Sequence, residues 1–362
     1  MEDDFAAAES PGAHPASDSL ERGYIEAGEE GNSSQRFGER PSLDHESHRT
    51  AAAHAQSLEM SDCRHGDENR VVRRFTDGKL GRVAVTRVTI VGSGTSAAEP
   101  DAPASGLLVE TRSIGLLIDC GQGVIRALMP LRDPRTLDAV VVGHLHADHF
   151  IDLVSLRYLL PWAGQGGRRI PILLPPGGRR RMSELEAAIS EREGFFDDAF
   201  ELLEYDPTAI VVIGDLSIRF IAGRHYVPAW GCSIADGAGR RIVVSGDTGP
   251  NERLVEAARG ADLFVVEATL LGADEDDPIR GHLTIDEALD LGEQAGVGQT
   301  VLVHYRGQDR ETIESACRER VGSVAGRPGM AFELDPTAPG LQTHQPVGET
   351  LSGIASSTAR AR

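Results

Sequence analysis

The stretch Gly143-His-Leu-His-Ala-Asp-His149 follows an apolar run at 138–142 and precedes a segment, 150–160, whose apolar residues fall at helical spacing. It reads as strand, turn and helix. Four potential ligands, His144, His146, Asp148 and His149, leave this one turn. Imidazole and carboxylate suit zinc, manganese or iron, and four such groups so close together cannot all reach one tetrahedral ion without strain. Two neighbouring ions resolve the conflict. A single histidine here would read most simply as a satisfied rim residue, but this spacing is not explained that way.

The remaining histidines extend the pattern. Of 12 in the chain, His14, His45, His48, His54, His65 and His344 lie in polar terminal stretches and read as solvated side chains. The other six are His144, His146, His149, His225, His282 and His304. Each sits at the end of an expected strand or in a loop beside one, where the loops of a sheet gather into a site. The expected strands are 83–91, a hairpin of 106–111 and 115–119, then 138–142, 170–174, 210–213, 216–222, 232–235, 241–245, 263–267 and 300–304. Helices are expected at 150–160, 179–193, 252–259, 285–295 and 310–320. Early hairpins followed by strand-helix alternation predict an α/β sandwich, sheets covered by helices on their outer faces, rather than one doubly wound sheet.

Composition bounds the rest. The 362-residue chain has 36 Lys+Arg against 56 Asp+Glu, a net charge of -20, and no apolar run of the eighteen or so residues that a membrane helix needs. Residues 1–70 carry half of that excess, with 16 acidic and 6 basic side chains. Residues 1–75 have few β-branched or aromatic residues and no sustained period, which predicts a disordered acidic tail; Met60 stands near the start of globular composition. The polar stretch 336–362 reads as a second disordered tail, which leaves one domain at 80–335. An acidic chain repels polyanions, so a partner of long nucleic acid is not expected. Cys63, Cys120, Cys232 and Cys317 are scattered without a CxxC pair, and the N-terminus lacks a secretory pattern, so the cytoplasm is the default location.

The run His144-x-His146-x-Asp148-His149, the distant His225, the aspartate of Ser245-Gly-Asp-Thr248 and the final His304 together resemble the metallo-β-lactamase superfamily. The resemblance covers about residues 83–333 and implies an αββα sandwich with a dinuclear metal site at one edge. By position, it assigns His144, His146 and His225 to one ion, Asp148, His149 and His304 to the second, and Asp247 to both. Two divalent ions are implied, zinc first, with manganese or iron as alternatives. The true β-lactamases place a cysteine where Asp247 stands, so the aspartate points to hydrolases of esters and phosphodiesters. Val266-Glu-Ala-Thr269 and Gly281-His-Leu-Thr284 look like two loops of the ribonuclease Z-like branch. That implies His282 as general acid for the leaving group, oriented by Glu267, with Asp148 orienting a metal-bridging hydroxide. The loop Gly92-Ser-Gly-Thr-Ser96 offers Ser93, Thr95 and Ser96 as phosphate contacts, or serves only as a tight strand exit.

Two departures narrow the substrate. Ribonuclease Z inserts a long tRNA-gripping arm between its third ligand and the bridging aspartate, whereas here His225 and Asp247 are 22 residues apart. Its basic loop after the first strand reads Glu99-Pro-Asp-Ala-Pro-Ala-Ser105 here, without a positive charge. The expectation is a phosphodiesterase for a small substrate, a 3′,5′-cyclic nucleotide first. It resembles small bacterial cyclic-nucleotide phosphodiesterases, with a homodimer left open. The alternatives are a ribonuclease Z-type RNA 3′-processing endonuclease and a lactone or thioester hydrolase.

Overall fold

The computed structural model describes residues 73–74, 85–162, 165–273, 279–337 and 341–345. In chain order its strands are β1 (Arg73–Arg74), β2 (Thr86–Gly92), β3 (Gly106–Glu110), β4 (Gly115–Ile118), β5 (Ala139–Val141), β6 (Ile170–Leu174), β7 (Phe200–Glu204), β8 (Val211–Ile213), β9 (Leu216–Ala222) and β10 (Trp230–Ala235). There follow β11 (Arg241–Val244), β12 (Leu263–Glu267), β13 (Gln299–Val303), β14 (Ser323–Ala325), β15 (Ala331–Leu334) and β16 (Gln342–His344). The helices are α1 (Val124–Leu128), α2 (Ala147–Phe150), α3 (Leu153–Leu159), α4 (Gly178–Ile189), α5 (Glu252–Ala258), α6 (Ile285–Ala295) and α7 (Arg310–Glu319).

The strands form two sheets, ordered β16-β15-β2-β3-β4-β5-β6-β7 and β1-β8-β9-β10-β11-β12-β13-β14. Strand alternation explains why both faces of the first sheet are apolar. Val88, Ile90, Leu107, Val109, Leu116 and Ile118 point between the sheets, where they meet Ile213, Ile218 and Val265 of the second. Their alternates Val91, Leu108, Leu117 and Val140 pack outward with residues of α1, α3 and α4. On the far side, Val243, Phe264, Val266 and Leu302 bury against residues of α5, α6 and α7. Each fully buried aliphatic side chain contributes about 1.5–3 kcal/mol, so three apolar layers are ample for a stable sandwich. The result is the expected αββα arrangement. Among the described residues, no helix is long and apolar enough to cross a membrane.

Two differences from the sequence reading have physical causes. The helix expected at 150–160 starts only at Leu153, as α3, after the separate turn α2, because between them Asp152 turns its carboxylate to Ile125 N (2.7 Å) and Ser155 Oγ (2.5 Å) and so pins α1 at the break. Residues 342–344, expected within a disordered tail, instead add β16 antiparallel to β15, with Phe332 opposite Thr343. Backbone pairing on a sheet edge stabilises a segment whose own composition could not. The expected tail at 1–75 lies outside the described residues except for Arg73–Arg74, which pair parallel with β8.

Candidate metal centre

The donor residues all stand at the C-terminal ends of strands. His144 and His146 follow β5, and Asp148 and His149 lie in the first turn of α2. His225 follows β9, Asp247 follows β11, and His304 follows β13 directly. Gly246 precedes Asp247 at φ 59°, a left-handed turn that costs glycine nothing and aims the aspartate at the opposite sheet. Asp119 and His304 adopt the same conformation, at φ 59° and 57°, without that freedom. Such strain persists only where the surroundings impose it, and here it marks two residues of the site.

Asp247 is the hub. Its Oδ2 lies 3.3 Å from His149 Nε2, 3.5 Å from His304 Nε2, 3.6 Å from His144 Nε2 and 3.9 Å from His225 Nε2. On one side, His146 Nδ1 is 3.1 Å from His144 Nε2 and 3.0 Å from His225 Nε2. On the other, Asp148 Oδ2 is 3.3 Å from His304 Nε2 and 3.6 Å from His149 Nε2. The groups therefore divide into His144, His146, His225, Asp247 and Asp148, His149, Asp247, His304, each set with its donor atoms within 4.8 Å of one another. Ligands bonded at about 2.0–2.1 Å to a tetrahedral ion are about 3.3–3.5 Å apart, so both sets fit a divalent cation.

The nitrogens turned away from the hub are held as well. His149 Nδ1 donates to Asp119 Oδ2 at 2.8 Å, and Asp119 Oδ1 accepts from Gly143 N at 2.8 Å. His225 Nδ1 donates to Gly281 O (2.8 Å), and His304 Nδ1 to Thr269 Oγ1 (2.9 Å). Fixing the outer nitrogen fixes tautomer and ring direction, which is how imidazole ligands are usually prepared for a metal. Sequence reasoning missed Asp119, although it ends a buried strand as the other site residues do. It also missed Thr269 and the carbonyl of Gly281, which carry no such signal.

Electrostatics separates the two sets. Burial pushes every imidazole toward its neutral form. At His144, His146 and His225 it prevails and lowers the pKa. At His149 it is outweighed by Asp247 and Asp119, and at His304 by Asp247 and Asp148, so both are raised. Despite burial, His149 and then His304 hold the Asp247 carboxyl well below its ordinary value. A buried carboxylate calls for cations, which protons or a metal can supply.

Beside the second set, Glu267 is 1% exposed. It accepts from Thr248 N (2.7 Å), Thr269 Oγ1 (2.6 Å) and His282 Nδ1 (2.9 Å). The His282 ring stacks at 5.7 Å on that of His304. Thr95 and Ser96 line the cleft over the centre, whereas Ser93 lines a small cavity behind it and uses its carbonyl to hold His304 N at 2.8 Å. The structure thus brings together all the expected site residues except Ser93, which faces away from the cleft.

Comparisons with known proteins agree with this geometry. The family model described as a beta-lactamase superfamily domain matches residues 115–305. An uncharacterized protein of Mycobacterium tuberculosis (strain ATCC 25618 / H37Rv) is 35% identical over 230 residues, covering 62% of this chain and 82% of its own. The probable metallo-hydrolase YhfI of Bacillus subtilis (strain 168) is 26% identical over 221 residues, 60% of this chain and 86% of its own. Its crystal structure aligns with a TM-score of 0.59 and 24% identity, covering 68% of this chain and 98% of that one. Ribonuclease Z of Ignicoccus hospitalis (strain KIN4/I / DSM 18386 / JCM 14125) is 26% identical over 267 residues, 60% of this chain and 87% of its own. With a family match over more than half its length and two donor sets at the strand ends, the chain belongs to the β-lactamase superfamily and has the fold of its metallo-hydrolases.

Proposed function

We propose that this metal-dependent hydrolase is a phosphodiesterase for a small substrate, a 3′,5′-cyclic nucleotide being the best match. The observation that carries the reading is the carboxylate of Asp247 within 3.3–3.9 Å of four imidazole nitrogens, a shared ligand between two donor sets. His144, His146, His225 and Asp247 would hold one divalent ion, and Asp148, His149, His304 and Asp247 the other. Such ions acidify water and offset charge on a phosphoryl oxygen.

The remaining steps fall to the protein's own groups. Asp148, a 4% exposed member of the second set, would also accept a hydrogen bond from the attacking water and orient it. Glu267 takes the Nδ1 proton of His282 in a hydrogen bond and so sets the direction of the ring whose Nε2 would protonate the departing oxygen. Protonating an alkoxide in this way is commonly worth about 10² to 10⁴ in rate. Thr95 and Ser96 offer hydroxyls to the phosphate at the mouth.

Small substrates are favoured over tRNA on two grounds. The segment between His225 and Asp247 is filled by the β10–β11 hairpin, paired from Cys232↔Val244 to Ala235↔Arg241, with no inserted arm. The ribonuclease Z alignment spans 267 residues but engages only 60% of this chain, roughly 217 residues, so about 50 positions belong to the ribonuclease alone. The YhfI alignment spans 221 over the same share, which leaves almost none.

Assaying zinc- and manganese-loaded enzyme in parallel on cyclic AMP, precursor tRNA, bis(p-nitrophenyl) phosphate and an acyl-homoserine lactone tests the reading. Turnover of the first and third, lost on chelation, is expected. Site-specific cleavage of the tRNA favours the ribonuclease Z reading. Turnover confined to the lactone moves the chemistry to carbonyl carbon.

A further inference from the structure

The cleft over the metal centre encloses about 820 Å³, and its rim includes two side chains with no part in the scheme above, Tyr226 and Arg306. Tyr226 directly follows the donor His225 and is 41% exposed. Its ring lies against Gly281, where an added Cβ would come within 2.5 Å of Cε2 and Cζ, so glycine there makes the ring's position available. The ring centroid is 4.9 Å from that of His225 and 5.8 Å from that of His282. Gly281 also binds His225 through its carbonyl, so one residue fixes both the imidazole and the phenol beside it. An aromatic ring is thus positioned at the mouth with part of its surface exposed to solvent. Such surfaces stack on flat, unsaturated ligands.

Arg306 is the only Lys or Arg among the described residues lining this cleft. Its Nε donates to Asp309 Oδ2 at 2.9 Å, and Asp309 is 6% exposed while the arginine side chain is 43% exposed. Anchoring one nitrogen on a buried carboxylate sets the direction of the fork and leaves an anion to be met by the rest of it. β9 and β13, which carry Tyr226 and Arg306 at their ends, are four strands apart in one sheet. At about 4.8 Å per strand, the two strands themselves run about 19 Å apart, and β11, which leads to Asp247, lies between them.

We propose that Tyr226 is a stacking platform for the nucleobase of a mononucleotide and that Arg306 pairs with an oxygen of its phosphate. The proposal rests on the phosphodiesterase reading and adds the groups that would make the substrate a nucleotide rather than a phosphodiester of a sugar or lipid. Base stacking on an aromatic ring commonly changes affinity by about tenfold or more.

The test compares adenosine 5′-monophosphate with ribose 5-phosphate, titrated calorimetrically into the metal-loaded enzyme. The wild type should bind the nucleotide at least about tenfold tighter. Tyr226→Ala should abolish that difference while leaving ribose 5-phosphate affinity unchanged, and Tyr226→Phe should restore it. Arg306→Met should weaken both ligands by a similar factor. Metal content, measured on each preparation, should not change. Equal wild-type affinity for the two ligands, binding of neither, or equal weakening of both by Tyr226→Ala overturns the platform. Hydrolysis of bis(p-nitrophenyl) phosphate by the same wild-type sample separates the two claims. If that activity is absent the phosphodiesterase reading fails, and if it is present with base-independent binding only the platform fails.

Discussion

Half of the candidate centre leaves a single turn, while the other half is carried in from three separate strands of the opposite sheet. His144, His146, Asp148 and His149 are fixed by the exit of β5 and the start of α2. His225, Asp247 and His304 owe their places to the register of β9, β11 and β13. Neither half makes a complete set, because each donor set draws two residues from the turn and two from the second sheet. The centre is therefore a clasp across the sandwich, and a bound ion should tie folding of the two sheets together.

Asp247 belongs to both sets, so its loss should have the largest effect. Asp247→Ala is expected to lower metal content below one ion per chain and kcat/KM by roughly 10³ or more, since both sets lose a ligand and the buried imidazoles lose their counter-charge. His225→Ala, which touches one set, should keep about one ion. Metal analysis of the two variants checks this, and two ions retained by Asp247→Ala would remove the shared-ligand assignment.

His282 stands outside both sets, and its replacement should break chemistry without breaking the clasp. His282→Ala should lower kcat by roughly 10² or more on a substrate with an alkoxide leaving group, and far less on a nitrophenyl ester whose leaving group needs no proton. An equal loss on both substrates would take the acid role away from His282.

Asp119 allows the two donor sets to be compared directly. It holds His149 alone, through a 2.8 Å bond to Nδ1, so Asp119→Ala should weaken the Asp148/His149/His304 set by about 10- to 100-fold and leave the other intact. Stepwise titration of metal-free protein with zinc would resolve the two affinities. A uniform fall in both would mean that Asp119 acts on the turn as a whole, through its second bond to Gly143 N.

The turn was legible in the sequence because its donors are adjacent and their spacing has no structural explanation. The dispersed donors could be placed only through the resemblance, although each histidine already stood at the end of an apolar run. What could not be read was whatever depends on the third dimension: Asp119 reaching His149 from another strand, and Gly281 offering its carbonyl to His225. The same holds for Arg157, completely buried on α3 with its guanidinium 3.9 Å from the Trp162 ring. A lone arginine inside an apolar helical stretch gives no hint of the aromatic ring that accepts it. Ser93 failed for the opposite reason, since a plausible hydroxyl in a glycine-rich loop turned out to serve through its carbonyl.

The smallest expected effect is a difference in pH dependence between the two sets in metal-free protein. A metal ligand must be neutral imidazole, so any proton held in the free protein has to leave when the ion enters. His144, His146 and His225 have pKa values below the ordinary 6.5, and above that pH they are already neutral and release nothing. His149 and His304 are raised above 6.5 by the carboxylates around them and hold their protons to higher pH than the other three. Affinity of their set should therefore go on rising with pH above 6.5, by up to about tenfold per pH unit for each proton displaced, while that of the other set stays flat. Calorimetry of each binding step in two buffers of different ionisation enthalpy counts the protons. Release confined to one step is the expected result, and equal release in both would show that the carboxylates serve the two sets alike.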